Sequence, residues 1–223
     1  MAARTLNQLS DALRLLLMDG DAYSSPNQHD AAIGRAVTRL CQFRPRFRVH
    51  EIAGDGTAFR FNAPTDWQGG FSALKKVLYP VDTTLQGLPL ELPLREVQVM
   101  LQPDDTYKIH FVATIPASAK KAWLYYTVEH SVTNDSSTLK STEDEDAVVY
   151  WATAEILRIM AARVNASKDI EQLAQASNRE SRGSQYLKLA KEYEERSGLL
   201  EGAALAWGPI NPGTATTADN LTH

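Results

Sequence analysis

Residues 141–164 read STEDEDAVVYWATAEILRIMAARV, and this segment carries the clearest structural signal in the chain. Its four acidic residues, 143–146, fit the first turn of a helix, where the helix dipole stabilises negative charge. Beyond them the only charges are Glu155, Arg158 and Arg163. At about 100° per residue these three fall within a stripe of roughly 140°, and the remaining circumference is apolar. Such a helix must be covered on more than one side, and we expect cover from its own domain and from another copy of the chain.

The side chains expected to meet a second copy lie on the apolar surface of this helix. They are the predicted subunit-interface residues: Val148, Trp151, Ala152, Ile156, Ile159 and Met160.

Composition and charge indicate a folded protein with an acidic surface. The chain has 223 residues, 43% of them hydrophobic and 22% charged, with a formal net charge of −4. A protein that holds nucleic acid by counterion release would show a clustered basic excess, and the sequence shows none. Arg44, Arg46 and Arg48 alternate in FRPRFR and predict three cations on one edge of a strand. Two interpretations stay open for them: a solvated strand face, or a contact with an anionic partner.

Cys41 is the only cysteine, so the chain has no internal disulfide, and a reducing compartment is expected. Its place on the apolar side of a predicted helix favours a buried, inert thiol over a nucleophile. The N-terminal residues do not resemble a signal peptide, and no apolar run approaches the length of a membrane span. We therefore expect synthesis in the cytoplasm and no membrane association.

Two helices are predicted at the N-terminus, over 5–18 and 26–43, and together they suggest a helical hairpin. The first shows capping-box spacing between Thr5 and Gln8 and leucines at helical intervals. The second begins with a cap at Ser25 and a proline in its first turn, and Pro45 ends it.

From residue 47 the hydrophobic period changes to two, which predicts a small antiparallel β-domain over 47–130. One hairpin is predicted around Gly54-Asp55-Gly56, joining residues 47–51 to 59–61. A short strand is expected over 77–81, and a second hairpin joins 97–101 to 107–111. A last strand, 123–128, is apolar throughout, which suggests burial on both of its faces.

The C-terminal third is predicted to hold the long apolar helix over 142–165, an amphipathic helix over 184–196 and an extended arm over 198–223. The fold class is therefore α+β, with residues 1–197 as one domain. The arm is almost uncharged and has no stripe to build a core. Its large apolar side chains favour a docking segment over packing back on its own body; they are Leu199, Leu200, Leu205, Trp207 and Ile210.

No motif in the sequence points to catalysis or to a cofactor. The acidic run with His130 suggests a metal site only weakly, since adjacent acids point in different directions and capping already explains them. The sequence contains no paired histidine spacing, no nucleophile elbow and no phosphate-binding loop. We expect no enzyme activity, no metal and no cofactor.

Four segments, taken in order, resemble the head–tail adaptor (connector) proteins of tailed bacteriophages. They are GFSALKKVLYPVD, LPLREVQVMLQPDDTYKIHFVATIPASAKKAWLYYTVEH, EDEDAVVYWATAEILRIMAARV and SRGSQYLKLAKEYEER. Tyr79-Pro80-Val81 matches a tyrosine-proline-valine phrase of that family. A strand rich in tyrosine and threonine, then an acidic turn and an alanine-rich helix, match residues 125–164. The resemblance covers roughly residues 5–196, and its motifs are structural.

The resemblance implies a virion protein of the phage neck that forms a ring, usually of twelve subunits, beneath the portal protein. Its C-terminal arm would insert into the portal, and other neck or tail proteins would bind below. DNA would pass through the acidic ring without specific binding. The host cytoplasm would be its location during assembly.

Two other functions are compatible with the sequence. One is a tail-completion or stopper protein at the other end of the neck. The other is a stand-alone module that binds a carbohydrate or peptide, for which Trp67, Tyr79 and Tyr107 are the candidate aromatics.

Overall fold

The computed structural model describes residues 3–17, 24–81, 89–168 and 182–199. They form helices and two antiparallel sheets, a mixed α+β protein. The chain divides into two compact units. We call them the helical unit, within residues 1–43 and 132–223, and the β unit, residues 44–131. Contacts between residues distant in sequence set this division, and hydrophobic periodicity does not report them.

Four helices belong to the described part of the helical unit: α1 (Leu6–Leu16), α2 (Pro26–Phe43), α3 (Thr142–Lys168) and α4 (Arg182–Ser197). Their bounds lie close to the predicted ones because the capping residues act as expected. The backbone N–H of Thr5 donates to the Gln8 side chain at 3.0 Å, and that of Ser25 donates to Gln28 at 3.0 Å. At the start of α3 the Ser141 hydroxyl accepts from the Asp144 N–H at 3.1 Å.

Helix α3 lies at the centre of the helical unit, in contact with α1, α2 and α4. Its buried side chains lie on most sides of the helix, from Ala147 to Val164. Leu9 and Leu13 of α1 and Ile33 and Leu40 of α2 are fully buried in the same unit. The apolar circumference of α3 is therefore covered largely by the chain's own helices.

In the part of the β unit that the structure describes, seven strands form two sheets, and every strand pair among them is antiparallel. Sheet A has the order β1-β7-β3-β4, and sheet B has the order β2-β6-β5. The strands are β1 (Arg46–Ala53), β2 (Arg60–Asn62), β3 (Leu74–Val81), β4 (Glu91–Leu92), β5 (Val97–Leu101), β6 (Tyr107–Phe111) and β7 (Lys121–Val128).

The first predicted hairpin is wrong, because β1 and β2 belong to different sheets. Strand β1 pairs with β7, and β2 pairs with β6. The backbone N–H of Gly54 donates to the Lys120 carbonyl at 2.8 Å, and that of Gly56 donates to Pro116 at 3.0 Å. The glycine-rich turn thus packs on the segment before β7, and its side-chain-free backbone permits that close approach.

The second predicted hairpin is confirmed, with Val97 opposite Phe111 and Leu101 opposite Tyr107. Its turn places Asp105 at a positive φ of 58°, a conformation that aspartate tolerates better than most residues. The expected strand over 77–81 is also present and begins earlier, at Leu74.

Strand β7 is central in sheet A, between β1 and β3. Ala122, Leu124 and Tyr126 are buried on one face, while Trp123 and Tyr125 on the other are partly exposed. The prediction of burial on both faces holds fully only at the end of the strand, where Thr127 and Val128 are both buried.

The core of the β unit lies between the two sheets. Ile52, Val77 and Leu124 come from sheet A, and Ile109 and Phe111 come from sheet B, in one cluster of buried residues. Each sheet therefore has an inner face against this core and an outer face directed away from it.

Two predicted segments fall outside the described residues, wholly or in part. The segment from 165 to 183 is described only as far as Lys168 and again from Arg182, and the C-terminal arm only as far as Leu199. Among the described helices, none combines the length and the apolar character needed to cross a bilayer.

Candidate interaction surfaces

Four of the six predicted subunit-interface residues lie in the core of the helical unit. Val148, Ala152, Ile156 and Met160 are at most 1% exposed. This corrects the sequence-based assignment, since side chains covered by their own chain offer no surface to a second copy. The pattern showed that α3 needs cover on several sides, but it did not show which chain supplies that cover. Trp151 and Ile159 are partly exposed and stay predicted interface residues.

The charged stripe of α3 is used for contacts within the helical unit. Glu155 accepts from Arg35 of α2 at 2.5 Å, and Arg158 pairs with Glu194 of α4. At the contact between α3 and α4, the ring of Tyr150 stacks on that of Tyr193 with 5.9 Å between the ring centroids. Ion pairs and ring stacking therefore fix the neighbours of α3, in addition to apolar burial.

The root of the predicted arm is anchored to the helical unit. Leu199 is fully buried, and its carbonyl accepts from Arg39 Nε at 3.2 Å. The Arg39 guanidinium lies 4.7 Å from the centroid of the Phe43 ring and 5.2 Å from that of Trp151. Leu199 is thus a core residue of this unit, which corrects its assignment to the docking arm. The other arm residues, Leu200, Leu205, Trp207 and Ile210, lie outside the described residues.

The acidic run at the start of α3 binds the N-terminal segment. Glu145 is 7% exposed, and its carboxylate accepts from the Arg4 backbone N–H at 2.7 Å. The Arg4 guanidinium also pairs with Glu145 at 3.4 Å and with Asp146 at 3.3 Å. Within the described ranges, no group of three or more His, Cys, Asp or Glu side chains has the arrangement of a metal site.

The arginines of the FRPRFR segment are buried to different extents in the β unit. Arg48 donates to Asp66 at 2.6 Å, and the Tyr126 hydroxyl donates to the other oxygen of Asp66 at 2.6 Å. Burial alone would raise the pKa of Asp66, but these two hydrogen bonds outweigh it and hold the pKa below the ordinary 3.8. Arg46 is more buried than Arg48. The arginines of this segment therefore do not form the fully solvated strand face that was one of the two interpretations.

The same carboxylate affects a neighbouring histidine. Burial lowers the pKa of His50 below its ordinary 6.5, and the negative charge of Asp66 opposes that shift. Asp66 also contributes, after burial, to a pKa for Tyr126 well above the ordinary range. Asp66, its two hydrogen-bond donors and His50 form a polar cluster that joins the 63–73 loop to sheet A.

The three aromatics suggested for a binding module have contacts inside the β unit. Trp67 stacks on Tyr126 with 5.8 Å between ring centroids and lies 6.4 Å from Tyr107. The Tyr79 hydroxyl accepts from the Ala117 N–H at 2.7 Å. All three side chains are partly buried, so they support the fold of this unit.

Two groups with nucleophilic or base chemistry are buried. Cys41 is 3% exposed, as its place on the apolar side of α2 predicted. Ser24 Oγ lies 2.7 Å from His29 Nε2, a pair that resembles a nucleophile and its base. Because His29 is fully buried, a substrate has no access to its ring.

Sequence reasoning missed the outer face of sheet B. On this face Arg60 of β2 lies beside His110 and Lys108 of β6, although these residues are far apart in the sequence. His110 on this face is half-buried, with its ring 5.2 Å from that of Phe59. The alternating pattern of β6 indicates which of its residues share a face. It does not indicate that β6 pairs with β2, which brings Arg60 to the same face.

No protein-family model and no curated protein matches this chain.

Proposed function

We propose that this chain is a structural protein of the bacteriophage neck, which forms a ring that joins the portal vertex to the tail and surrounds the DNA path. The observation that carries the proposal is the ordered resemblance of four segments to head–tail adaptors. In detail, the proposed fold has an N-terminal helical hairpin, a small β-domain, a long apolar helix, an amphipathic helix and an extended C-terminal arm.

The arrangement of the helical unit supports this proposal. The N-terminal helices and the C-terminal pair contact one another although the β unit separates them in sequence. Arg39 anchors the chain at Leu199, so the remaining 24 residues begin from a defined point. A portal-docking arm needs such a fixed root, because ordering a free segment on binding costs conformational entropy.

Assembly is the proposed mechanism, with no catalytic step and no cofactor. Subunits gather on the portal, which acts as a template, and each arm becomes ordered as it docks. Burying a few hundred Å² of apolar surface per subunit contributes several kcal/mol at about 25 cal/mol per Å². The repeated contacts then favour closure of a symmetric ring, expected to contain twelve copies.

Co-purification with the portal protein encoded by the same phage tests the proposal. We expect the full chain to elute with portal rings and to add a second ring of density in electron micrographs. Trp207→Ala should weaken this association while the body stays folded, with Trp67→Phe as a matched control inside the β unit. A wild-type chain that never associates with portal would contradict the proposal.

The same samples separate the alternatives. A stopper or tail-completion protein would bind the assembled neck but not the portal alone. A carbohydrate- or peptide-binding module would bind a glycan or peptide array as a monomer and ignore both.

A further inference from the structure

We propose that strand β1 pairs with β1 of a second copy of this chain, antiparallel and about a two-fold axis. The surface is the free edge of sheet A, and its partner is the identical edge. The inference concerns the free chain and does not rest on the proposed ring, because a ring of heterologous contacts contains no such axis. Four residues, called here the edge residues, carry it: Phe47, Val49, Glu51 and Ala53.

Strand β1 lies at the edge of sheet A, with only β7 beside it among the described strands. In antiparallel strands, every second pair of opposite residues exchanges hydrogen bonds. The backbone N–H of Gly54 donates to the Lys120 carbonyl at 2.8 Å, and that of Thr127 in β7 donates away from β1, to Ala73, at 3.1 Å. The even-numbered residues of β1 therefore bond to β7. The N–H and C=O groups of the edge residues point away from the sheet.

The side chains along this edge are exposed. Phe47 is 42% exposed and Val49 is 52% exposed, and Glu51 and Ala53 are exposed as well. An edge strand with unpaired backbone groups and exposed apolar side chains is a template for pairing with another chain. Strand β1 is eight residues long, contains no proline and pairs with β7 without a bulge. Its own sequence therefore does not block a second strand.

The other sheet edges in the described part of the chain are shorter or blocked. At the far edge of sheet A, β4 has two residues, and the Tyr79 N–H donates to the Leu90 carbonyl at 2.8 Å, so only Glu91 directs its backbone outward. Pro89 and Pro93 hold the adjacent outward positions and have no N–H to donate. In sheet B, β2 has three residues and β5 has five.

Pairing at β1 therefore produces a closed assembly. Two four-stranded sheets become one continuous sheet, and a proline-flanked β4 lies at each of its ends. A contact that uses the same patch on both copies ends at two copies, because neither copy has a second patch of that kind to offer.

The spacing of the edge residues determines the register. They are symmetric about His50, so an axis beside His50 places Phe47 opposite Ala53 of the second copy and Val49 opposite Glu51 of the second copy. Every outward N–H and C=O of the four residues then has a partner. His50 alone meets its own counterpart. Burial lowers the pKa of His50 below its ordinary 6.5, so the two rings are largely neutral at pH 7 and do not repel each other.

Shifted registers satisfy fewer groups. An axis midway between two residues would set outward groups opposite groups that already bond to β7. Moving the axis one residue towards the N-terminus would put Ala53 opposite Pro45, which has no N–H. Moving it one residue towards the C-terminus would put Phe47 opposite Asp55, beyond the end of β1, and would set two copies of Glu51 opposite each other.

Charges at the two ends of β1 support the same register. Arg46 has a buried Nε without a hydrogen-bond partner in the described part of the chain. Asp55 accepts from the N–H groups of Ala58 at 2.7 Å and Thr57 at 2.8 Å, and these bonds hold its pKa below the ordinary 3.8. The axis beside His50 places Arg46 opposite the residue before Asp55 of the second copy. Each cation thus gains an acidic neighbour, and symmetry repeats the contact.

Amide hydrogen exchange followed by NMR tests the pairing residue by residue. In a dilute sample the amides of the four edge residues should exchange fast. At high concentration they should slow at least about tenfold, because the second copy now bonds to them. The amides of Arg48, His50 and Ile52 are the matched internal control, since their bonds to β7 protect them at both concentrations. Edge amides that exchange fast at every concentration would overturn the inference.

A proline at the edge provides an independent test in sedimentation velocity. Val49→Pro removes an outward N–H that the chain's own sheet does not use, so it should weaken self-association at least about tenfold while the fold is kept. Val49→Thr keeps both the N–H and the branched side chain, and should change self-association little. Circular dichroism checks that both variants fold. If Val49→Pro fails to fold, the exchange measurement on the wild type decides.

The same samples distinguish this inference from the proposed function. A wild-type chain that stays monomeric at high concentration overturns the inference, whatever it does with portal protein. If the edge amides become protected only when portal protein is added, the edge binds another protein; the inference fails and the proposed function stands. A β1-paired dimer that never associates with portal supports the inference and contradicts the proposed function.

Discussion

Arg4 and Glu145 are 141 positions apart, yet the backbone N–H of Arg4 donates to the Glu145 carboxylate at 2.7 Å. The guanidinium of Arg4 adds an ion pair at 3.4 Å to the same carboxylate. One buried side chain at the start of α3 thus holds the N-terminal segment in place. The acidic run suits the helix dipole, and its third member also has this tertiary role.

Glu145→Ala should destabilise the helical unit by about 1–2 kcal/mol, because a buried charged hydrogen-bond partner is lost. Urea unfolding followed by circular dichroism measures the change. Glu143→Ala is the matched control: Glu143 is exposed in the same turn, and its loss should cost only a few tenths of a kcal/mol through the dipole. Equal losses for the two variants would show that the contact with Arg4 contributes nothing.

Gly54→Ala should destabilise the β unit by roughly 2 kcal/mol or more. A Cβ atom there would come within 2.5 Å of the Pro116 carbonyl oxygen and closer still to that of Ala117. Both are backbone atoms, which move only together with the segment before β7. Thermal unfolding measures the effect.

Gly34→Ala provides the contrast for that measurement. Gly34 lies within α2 and has no atom within 4 Å of an added Cβ. Because alanine favours the helix, this variant should be more stable by about 0.5–1 kcal/mol. If Gly54→Ala left the thermal stability unchanged, the turn at Gly54 would not pack on residues 116–117.

Asp66→Asn should remove a pH-dependent part of the stability of the β unit. The pKa of Asp66 is lower in the folded state than its ordinary 3.8, because hydrogen bonds from Tyr126 and Arg48 outweigh burial. The unfolded chain therefore takes up this proton first, and the stabilisation is present above pH 3.8 and lost as the pH falls through the folded pKa. We expect the wild type to exceed the variant by about 1–2 kcal/mol at neutral pH, from the hydrogen bonds.

Urea unfolding at a series of pH values tests this expectation. The difference between the wild type and Asp66→Asn should shrink as the pH falls below 3.8. Asp105→Asn is the control, since Asp105 is exposed and asparagine also tolerates its positive φ. A difference that stays constant with pH would show that ionised Asp66 has no special role.

Arg39→Met should release the root of the C-terminal segment without unfolding the helical unit. Methionine keeps much of the apolar contact with Phe43 and Trp151 but cannot donate to the Leu199 carbonyl. Hydrogen exchange at the Gly198 and Leu199 amides should become about tenfold faster, which corresponds to a loss of about 1.4 kcal/mol. Asn27→Met, at an exposed position of the same helix, is the control, and unchanged exchange in Arg39→Met would contradict the anchoring role.

The limits of sequence reasoning are visible in the first predicted hairpin. The glycine turn between two alternating segments is a sound local signal for a hairpin, but β1 and β2 separate into different sheets. An alternating pattern of apolar and polar residues indicates that one face of a strand is buried, but it does not identify the partner strand. The second hairpin was predicted correctly because a short turn leaves β5 and β6 no nearer partner.

Local patterns in the sequence were enough to predict the approximate helix bounds, the burial of Cys41, the β5–β6 hairpin and the need of α3 for cover on several sides. Capping, periodicity and turn chemistry act over a few residues, so they can be identified in the sequence alone. Two features became visible only in the folded chain. Arg60 shares a face with Lys108, and four side chains of α3 are covered by their own chain: Val148, Ala152, Ile156 and Met160. Burial and charge clustering depend on which distant segments pack together, and no local pattern encodes that choice.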